Sequence, residues 1–301
     1  MVICGMNEPA VTFVVTSYLP NSLLPTLQSI DEAMKAWSFE PYVVALSDSS
    51  PSDYAVVEAT QWSQSVRSTL VVDHSPARRI QKEALNAAFA MQEVSRADIV
   101  IVTNDDVILE PNSVGNLIRA LQNSPSAVFA VGSTLPDPSY AGGKRRAGAW
   151  QLYAVNRLAQ LLPATCVRSE GALWATRGTF AKSFRWPING GSISDDVEIA
   201  RYVVQNDLTG LNVANAIVYK IPPEGFKDFN TQTQRSDDSK VSELSSQVST
   251  ALKFKALVAT FGAHPISALI YVTYRFRTII MAWRRDSQTN ETWSRQASTL
   301  R

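Results

Sequence analysis

The chain has 301 residues, of which 45% are hydrophobic, and its formal net charge is +1. This length allows one large core, or one domain with an appendage, and the small net charge gives no indication of a nucleic acid partner. Two cysteines exclude a disulfide framework and a thiolate metal cluster, and they are typical of a reducing compartment. Two histidines exclude a histidine-rich metal site.

The N-terminal residues MVICGMNEP contain no basic segment and no long apolar core. A secretory signal is therefore not expected. We expect a cytoplasmic protein, with peripheral contact at the inner face of a membrane as a further expectation.

Strand and helix signals alternate along the first half of the chain. The apolar runs predict strands at 11–15, 42–46, 69–72, 99–102 and 127–131, with helices at 21–37, from Ser50-Pro51, at 79–94 and at 111–121. The second half predicts a strand at 171–176, a helix at 194–205 and a strand at 211–221. This alternation predicts an α/β fold with a mainly parallel sheet flanked by helices.

A polar, serine-rich stretch at 236–249 predicts a boundary between a domain over 1–240 and a helical segment over 241–301. The apolar stretch 256–274 has about the ~20-residue length of a membrane span. However, His264-Pro265 interrupts it, and Arg275 follows directly. Because the tail is basic, we favour an interfacial helix that contacts a membrane through 251–285. The alternative is packing on the first domain or a homodimer interface.

The most informative feature lies where the run 99–102 ends in Asn104-Asp105-Asp106. Two adjacent carboxylates then follow a buried strand, at the edge where open α/β sheets bind ligands. Carboxylate oxygens suit Mg²⁺ or Mn²⁺, and such an ion suits a diphosphate. The alternative is a polar turn, because Asn and Asp are common turn residues.

With these residues in place, the chain resembles a family 2 glycosyltransferase of the GT-A fold over roughly residues 10–235. The segment 11–18 resembles the family's first strand and its turn toward the nucleotide. Asp48-Ser49-Ser50 resembles the loop whose aspartate contacts the donor base, and Ala84-Leu85-Asn86 resembles the helix before the metal motif. Asn104 replaces the first aspartate of Asp-x-Asp, so the resemblance implies Asp106 as the metal ligand and Asp105 as the variable middle residue.

Three further segments carry the resemblance. The segment 194–200 resembles the acidic motif that opens a helix and supplies the catalytic base, which implies Asp196 as the base with Asp195 second; helix capping is the alternative. The segment Gly171-Ala172-Leu173-Trp174 resembles the strand beneath the acceptor, although core packing is favoured for Trp174. The segment 232–236 resembles a weakened Gln-x-x-Arg-Trp motif, which implies Arg235 at the donor diphosphate; a solvated loop is the alternative.

The resemblance implies a metal-dependent, inverting, hexosyltransferase-like enzyme of class EC 2.4. It would move a sugar from a nucleoside diphosphate sugar, with UDP favoured, to a glycan or lipid-linked saccharide in cell-envelope polysaccharide synthesis. The implied cofactor is Mn²⁺ or Mg²⁺ at Asp106. The implied donor residues are Thr16, Tyr18, Asp48, Arg79, Asn104, Asp105 and Arg235, and the implied acceptor residues are Gly171, Ala172 and Trp174.

Two other functions remain open from the sequence. A nucleotidyltransferase uses a similar sheet, but the segment 17–21 lacks a glycine-rich basic loop. An inactive sugar- or lipid-binding scaffold is suggested by Asn104 and by the missing tryptophan. Lys82 is predicted to lie on a solvated helix face.

Overall fold

The described residues of the protein form an α/β fold around an eight-stranded sheet. The structure, a computed structural model, describes residues 9–17, 20–37, 42–48, 69–75, 79–188, 194–238 and 248–283. The strands are β1 (Val11–Ser17), β2 (Tyr42–Asp48), β3 (Thr69–His74), β4 (Ile99–Asn104), β5 (Val107–Leu109), β6 (Ala127–Pro136), β7 (Leu173–Arg177) and β8 (Thr209–Lys220). The helices are α1 (Pro20–Trp37), α2 (Gln81–Ala90), α3 (Gln92–Arg96), α4 (Ser113–Asn123), α5 (Arg146–Leu161), α6 (Gly178–Ser183), α7 (Asp195–Gln205), α8 (Gly225–Asp238), α9 (Thr250–Ala263) and α10 (Pro265–Trp283).

The strand order is β3-β2-β1-β4-β7-β6-β8-β5. Strand β1 pairs in parallel with β2 and β4, as do β2 with β3 and β6 with β8. Strand β7 runs antiparallel between β4 and β6, and β5 runs antiparallel to β8. The prediction of a mainly parallel sheet flanked by helices is confirmed, with the antiparallel strands β5 and β7 added.

The centre of the sheet is apolar on both faces because helices cover both. In β4, Ile99 and Ile101 pack into a core with α1 and α4, while Val100 and Val102 pack into a second core with α2 and α7. Alternate residues of a strand point to opposite faces. The continuous apolar run in the sequence therefore reflects burial on both sides.

Several local features differ from the sequence prediction. The helix expected at 79–94 is broken at Met91, whose extended backbone separates α2 from α3. Helices α5, α6 and α8 were not predicted, and neither was β5, which is only three residues long. The helix start at Ser50-Pro51 lies outside the described residues.

The tail forms two helices, separated at His264-Pro265, that pack on α5. The rings of Trp150 and Tyr271 are 4.5 Å apart, and the His264 ring stacks on Tyr153 at 4.2 Å. Helix α10 also packs on α8 through Phe229. Within the described residues, neither tail helix combines the length and the apolar character that crossing a membrane requires. The division at residue 240 stays a prediction.

Gly178 is a position where the fold requires the absence of a side chain. Its N–H donates to the Asp98 carbonyl at 2.9 Å, and an added Cβ would lie 1.8 Å from the Ala97 carbonyl oxygen. We expect Gly178→Ala to lower the free energy of unfolding by about 1–3 kcal/mol, because the backbone must shift. Urea unfolding followed by circular dichroism measures this change.

Gly142→Ala is the matched control, since among the described residues nothing lies within 4 Å of a Cβ added there. This substitution should change the free energy of unfolding by no more than about 0.5 kcal/mol. Equal unfolding midpoints for the two variants would show that the contact at Gly178 does not constrain the fold.

Candidate active site

The carboxyl ends of β1, β2 and β4 meet at one edge of the sheet. The strand register places Thr16 beside Asn104, and Ser17 beside Asp48. The side-chain amide oxygen of Asn104 accepts a hydrogen bond from Gln81 at 3.3 Å. The backbone therefore brings three of the predicted donor residues to one place. Tyr18 and the side chain of Asp48 lie outside the described residues.

The two carboxylates after β4 point in different directions. Asp105 is 2% exposed, and its carboxylate accepts a hydrogen bond from Ser17 Oγ at 2.9 Å, which ties β4 to β1. Asp105 is thus used within the fold, and its contact with the donor stays a prediction. Asp106 instead faces Lys220, with Nζ 3.4 Å from Oδ2. Its Oδ1 is buried without a hydrogen-bond partner among the described residues.

Asp106 fits a divalent cation in one respect. A buried carboxylate oxygen without a donor carries an unbalanced negative charge, which is costly unless a cation or donor approaches. In the part of the chain that the structure describes, no group of three or more His, Cys, Asp or Glu side chains forms a closed metal site. The arrangement therefore suits an ion such as Mg²⁺, which takes few protein carboxylates and completes its shell with water and phosphate oxygens.

A second acidic group opens α7. Ser194 Oγ donates to the Asp196 carboxylate and does not cap the helix. Trp186 Nε1 donates to the Asp195 carbonyl at 2.9 Å. A Cβ added at Gly171 would lie 3.6 Å from Asp196 Cγ. The structure thus places the predicted acceptor residue Gly171 directly against the predicted base.

Burial is the main influence on these acids. It raises the pKa of Asp196, and burial together with the charge of Asp196 raises the pKa of Asp195 to about 7. Lys82 counteracts this rise at Asp195, and Lys220 counteracts it at Asp196. Lys82 is only 7% exposed, so the prediction of a solvated helix face was wrong.

Lys220 and Glu170 complete the charged group, and neither was predicted. Lys220 ends β8 opposite Val107, the residue after Asp106, which explains how its ammonium reaches that carboxylate. Burial raises the pKa of Glu170, while Arg168 and Lys220 lower it; Thr134 Oγ1 donates to Glu170 at 2.7 Å. The sequence feature that could have indicated Lys220 is its position near the end of the strand predicted at 211–221.

The remaining acceptor residues are used within the fold. Trp174 is fully buried, with its ring centroid 5.7 Å from that of Phe129. This bears out the core packing favoured from the sequence, and the assignment of Trp174 to the acceptor site stays a prediction. The Ala172 carbonyl accepts from Thr103 Oγ1 at 2.8 Å.

The two arginines assigned to the donor occupy different surroundings. Arg79 forms an ion pair with Asp73 and approaches Ser47 Oγ at 3.5 Å. Arg235 belongs to α8, so its segment is helical and not the loop considered as an alternative. The side chain of Arg235 lies outside the described residues.

Structural comparison identifies the fold. A mannosyltransferase, PcManGT from Pyrobaculum calidifontis in complex with GDP-Man and Mn²⁺, matches 92% of this chain and 85% of its own at 16% identity and a TM-score of 0.55. Glucosyl-3-phosphoglycerate synthase from Mycobacterium tuberculosis, with Mn²⁺, UDP-Glc and phosphoglyceric acid, matches 79% and 80% at 12% identity, with a TM-score of only 0.47. No family model and no curated protein matches the chain in sequence. The first match confirms the GT-A-type fold.

The ion pair between Lys220 and Asp106 generates a prediction about metal affinity. Lys220→Met removes the ammonium group that pairs with the Asp106 carboxylate and would compete with a metal ion for it. A partly exposed pair of this kind is worth about 0.2–1 kcal/mol. We therefore expect the affinity for Mn²⁺, measured by electron paramagnetic resonance without nucleotide, to rise by a factor of about 1.4 to 5.

Lys182→Met, an exposed lysine on α6, is the control and should leave Mn²⁺ affinity unchanged. Weaker Mn²⁺ binding by the Lys220 variant would show that Lys220 supports the ion site instead of competing for it.

Proposed function

We propose that this protein is a metal-dependent glycosyltransferase that moves a sugar from a nucleoside diphosphate sugar to an acceptor hydroxyl with inversion. The observation that carries the proposal is the pairing of two acidic sites near one lysine. Asp106 presents an oxygen without a donor, and Asp196 lies against Gly171 at the start of α7. The shared fold with a mannosyltransferase crystallised with GDP-Man and Mn²⁺ supports the reaction class.

The donor is proposed to bind at the carboxyl edge of β1, β2 and β4. Asp106 would hold Mn²⁺ or Mg²⁺, and the ion, when bound, supplies Lewis-acid stabilisation of the departing diphosphate. Thr16 and Asn104 are adjacent at this edge, and Asp48 is proposed to contact the base. Arg79 and Arg235 are proposed at the donor as well, with UDP as the favoured nucleotide.

The acceptor is proposed to bind against Gly171, with Asp196 as the general base. The acceptor oxygen forms a bond to the anomeric carbon while the bond from that carbon to the diphosphate breaks. The electron pair leaves with the diphosphate, and the hydroxyl proton passes to a carboxylate oxygen of Asp196. The positive end of the α7 dipole favours the ionised carboxylate that this step needs.

The finer assignments complete the proposal. The acceptor is a saccharide, free or lipid-linked, in cell-envelope polysaccharide synthesis, and the enzyme works at the cytoplasmic face of a membrane. The segment 251–285 is the proposed membrane contact, with a homodimer as the alternative. An inactive binding scaffold is the second candidate function, favoured by Asn104 in the metal motif.

Calorimetric titration with UDP and GDP, each with and without Mn²⁺, tests the function. We expect one nucleotide to bind in a metal-dependent manner. Asp106→Ala should abolish the metal-dependent binding, whereas Asp196→Asn should keep it and lose sugar transfer, because only the base is removed. Failure of both nucleotides to bind would refute the donor site. Binding without transfer or donor hydrolysis by the unaltered protein would favour the scaffold.

The acid pair generates a prediction about pH. The base must be ionised, so kcat/KM should rise with pH through the titration of the Asp195–Asp196 pair. Asp195→Asn removes a negative neighbour, which lowers the pKa of Asp196 and moves this rise to lower pH. Lys82→Met removes a cation that favours the ionised form of Asp195, so the rise should move to higher pH.

The kcat/KM of the three proteins, measured between about pH 5 and 9, checks these directions. Because the two substitutions should shift the profile in opposite senses, a general loss of structure cannot imitate the result. Shifts in the same sense would contradict the assignment of the pair.

A further inference from the structure

The two tail helices expose an unusually large apolar surface. Its members, which we call the docking face, are 44–67% exposed. They are Phe254, Leu257, Val258 and Phe261 of α9, and Ile266, Leu269, Val272, Phe276 and Ile279 of α10. The spacing of three and four residues places each set on one side of its helix. Each helix therefore presents a continuous apolar stripe to its surroundings.

The fully buried positions of the two helices hold small residues, while the partly buried Tyr271 and Tyr274 of α10 pack on Trp150 and on α8. The buried positions are Ala256 and Thr260 on α9, and Ala268 and Thr278 on α10. Folding in water favours burial of the larger apolar side chains, which gain about 1.5–3 kcal/mol each. Here nine large apolar side chains of the two helices remain exposed. Such a patch indicates a surface that meets an apolar partner.

The charges beside the docking face are of one sign. Residues 248–283 contain Lys253, Lys255, Arg275 and Arg277, and no Asp or Glu. At about 100° per residue, Lys253 and Lys255 lie on opposite sides of the α9 stripe, and Arg275 and Arg277 on opposite sides of the α10 stripe. Basic side chains in these positions can extend along the apolar boundary and reach phosphate groups.

We propose that the docking face binds the surface of an anionic lipid bilayer, with both helices lying at the boundary between headgroups and acyl chains. The apolar stripes would enter the acyl region, and the basic residues would meet the lipid phosphates. A symmetric pair of two copies through this face is less favourable, because it brings the basic margins of both copies together. The proposal rests on the membrane contact included in the proposed function and specifies its lipid class and the residues that meet it, and its test does not depend on sugar transfer.

The helix that carries part of the docking face packs on the element that follows Lys220 in the chain. Helix α10 packs on α8, where Phe226 and Phe229 contact Tyr274 at ring distances of 5.4 and 5.5 Å. Helix α8 begins five residues after Lys220. A bilayer bound at this face would therefore lie beside the elements that lead into the site, which suits an acceptor carried by a lipid.

Co-sedimentation of the full chain with vesicles tests the proposal. Two vesicle compositions are used, phosphatidylcholine alone and phosphatidylcholine with phosphatidylserine. The face variant carries Phe254→Gln, Phe261→Gln and Phe276→Gln. The control variant carries Val155→Gln and Ile188→Gln, which alter exposed apolar residues elsewhere. The charge variant carries Lys253→Gln and Lys255→Gln.

The unaltered protein and the control variant should bind the phosphatidylserine vesicles equally. The face variant should lose about tenfold or more in partition coefficient. The charge variant should lose roughly fivefold per lysine removed, and only with the anionic vesicles. An unchanged circular dichroism spectrum shows that the face variant is folded, and nucleotide binding, measured separately, tests the donor site.

Three results would overturn the proposal. The first is no binding of the unaltered protein to anionic vesicles at low salt, and the second is equal binding by the face variant. The third is a dimer in solution, measured by light scattering, that the face variant converts to a monomer while vesicle binding is absent. That result would assign the docking face to a second copy of the chain.

Discussion

The hydrogen bond from Ser17 to Asp105 fixes the geometry on which the candidate site depends. Strand β4 is apolar on both faces, so polar groups can follow it only where it leaves the two cores. A buried carboxylate is costly without a donor, and Ser17 supplies one at 2.9 Å at the end of the neighbouring strand. With Asp105 held inward, the next residue, Asp106, is directed toward β8 and Lys220.

Desolvation governs the chemistry of the second acidic group. Asp195 and Asp196 begin a helix, where the dipole favours ionised carboxylates, yet burial raises the pKa of both. Lys82 and Lys220 approach from different elements and oppose that rise. The pKa of Asp195 therefore lies at about 7, in the range in which the proposed general base would work. Ser194 contributes by donating to Asp196, which leaves the helix N-terminus without its side-chain cap.

The sequence predicted the features that depend on local pattern. Apolar runs ending in polar residues located β1, β2 and β4, and the acidic motifs located Asp106 and Asp196. The burial of Lys82 was not predicted, although Lys82 precedes the buried Leu85 by three residues and so shares its helix face. Whether its side chain reaches solvent or lies near Asp195 depends on the tertiary fold. Predicting Lys220 at the site would have required the pairing of β8 with β5. A strand of three residues such as β5 has too little sequence pattern to predict.

The charges at the site favour a ligand that carries both signs. Among the described residues, Asp106, Glu170, Asp195 and Asp196 face Lys82, Lys220 and Arg168, so the group carries an excess of one negative charge when all four acids are ionised. A diphosphate alone would add to that excess. A divalent cation alone would meet one carboxylate already paired with a lysine. A metal–diphosphate pair would avoid both problems. The cation would bind Asp106, and the phosphate oxygens would pair with Lys220, which the cation displaces.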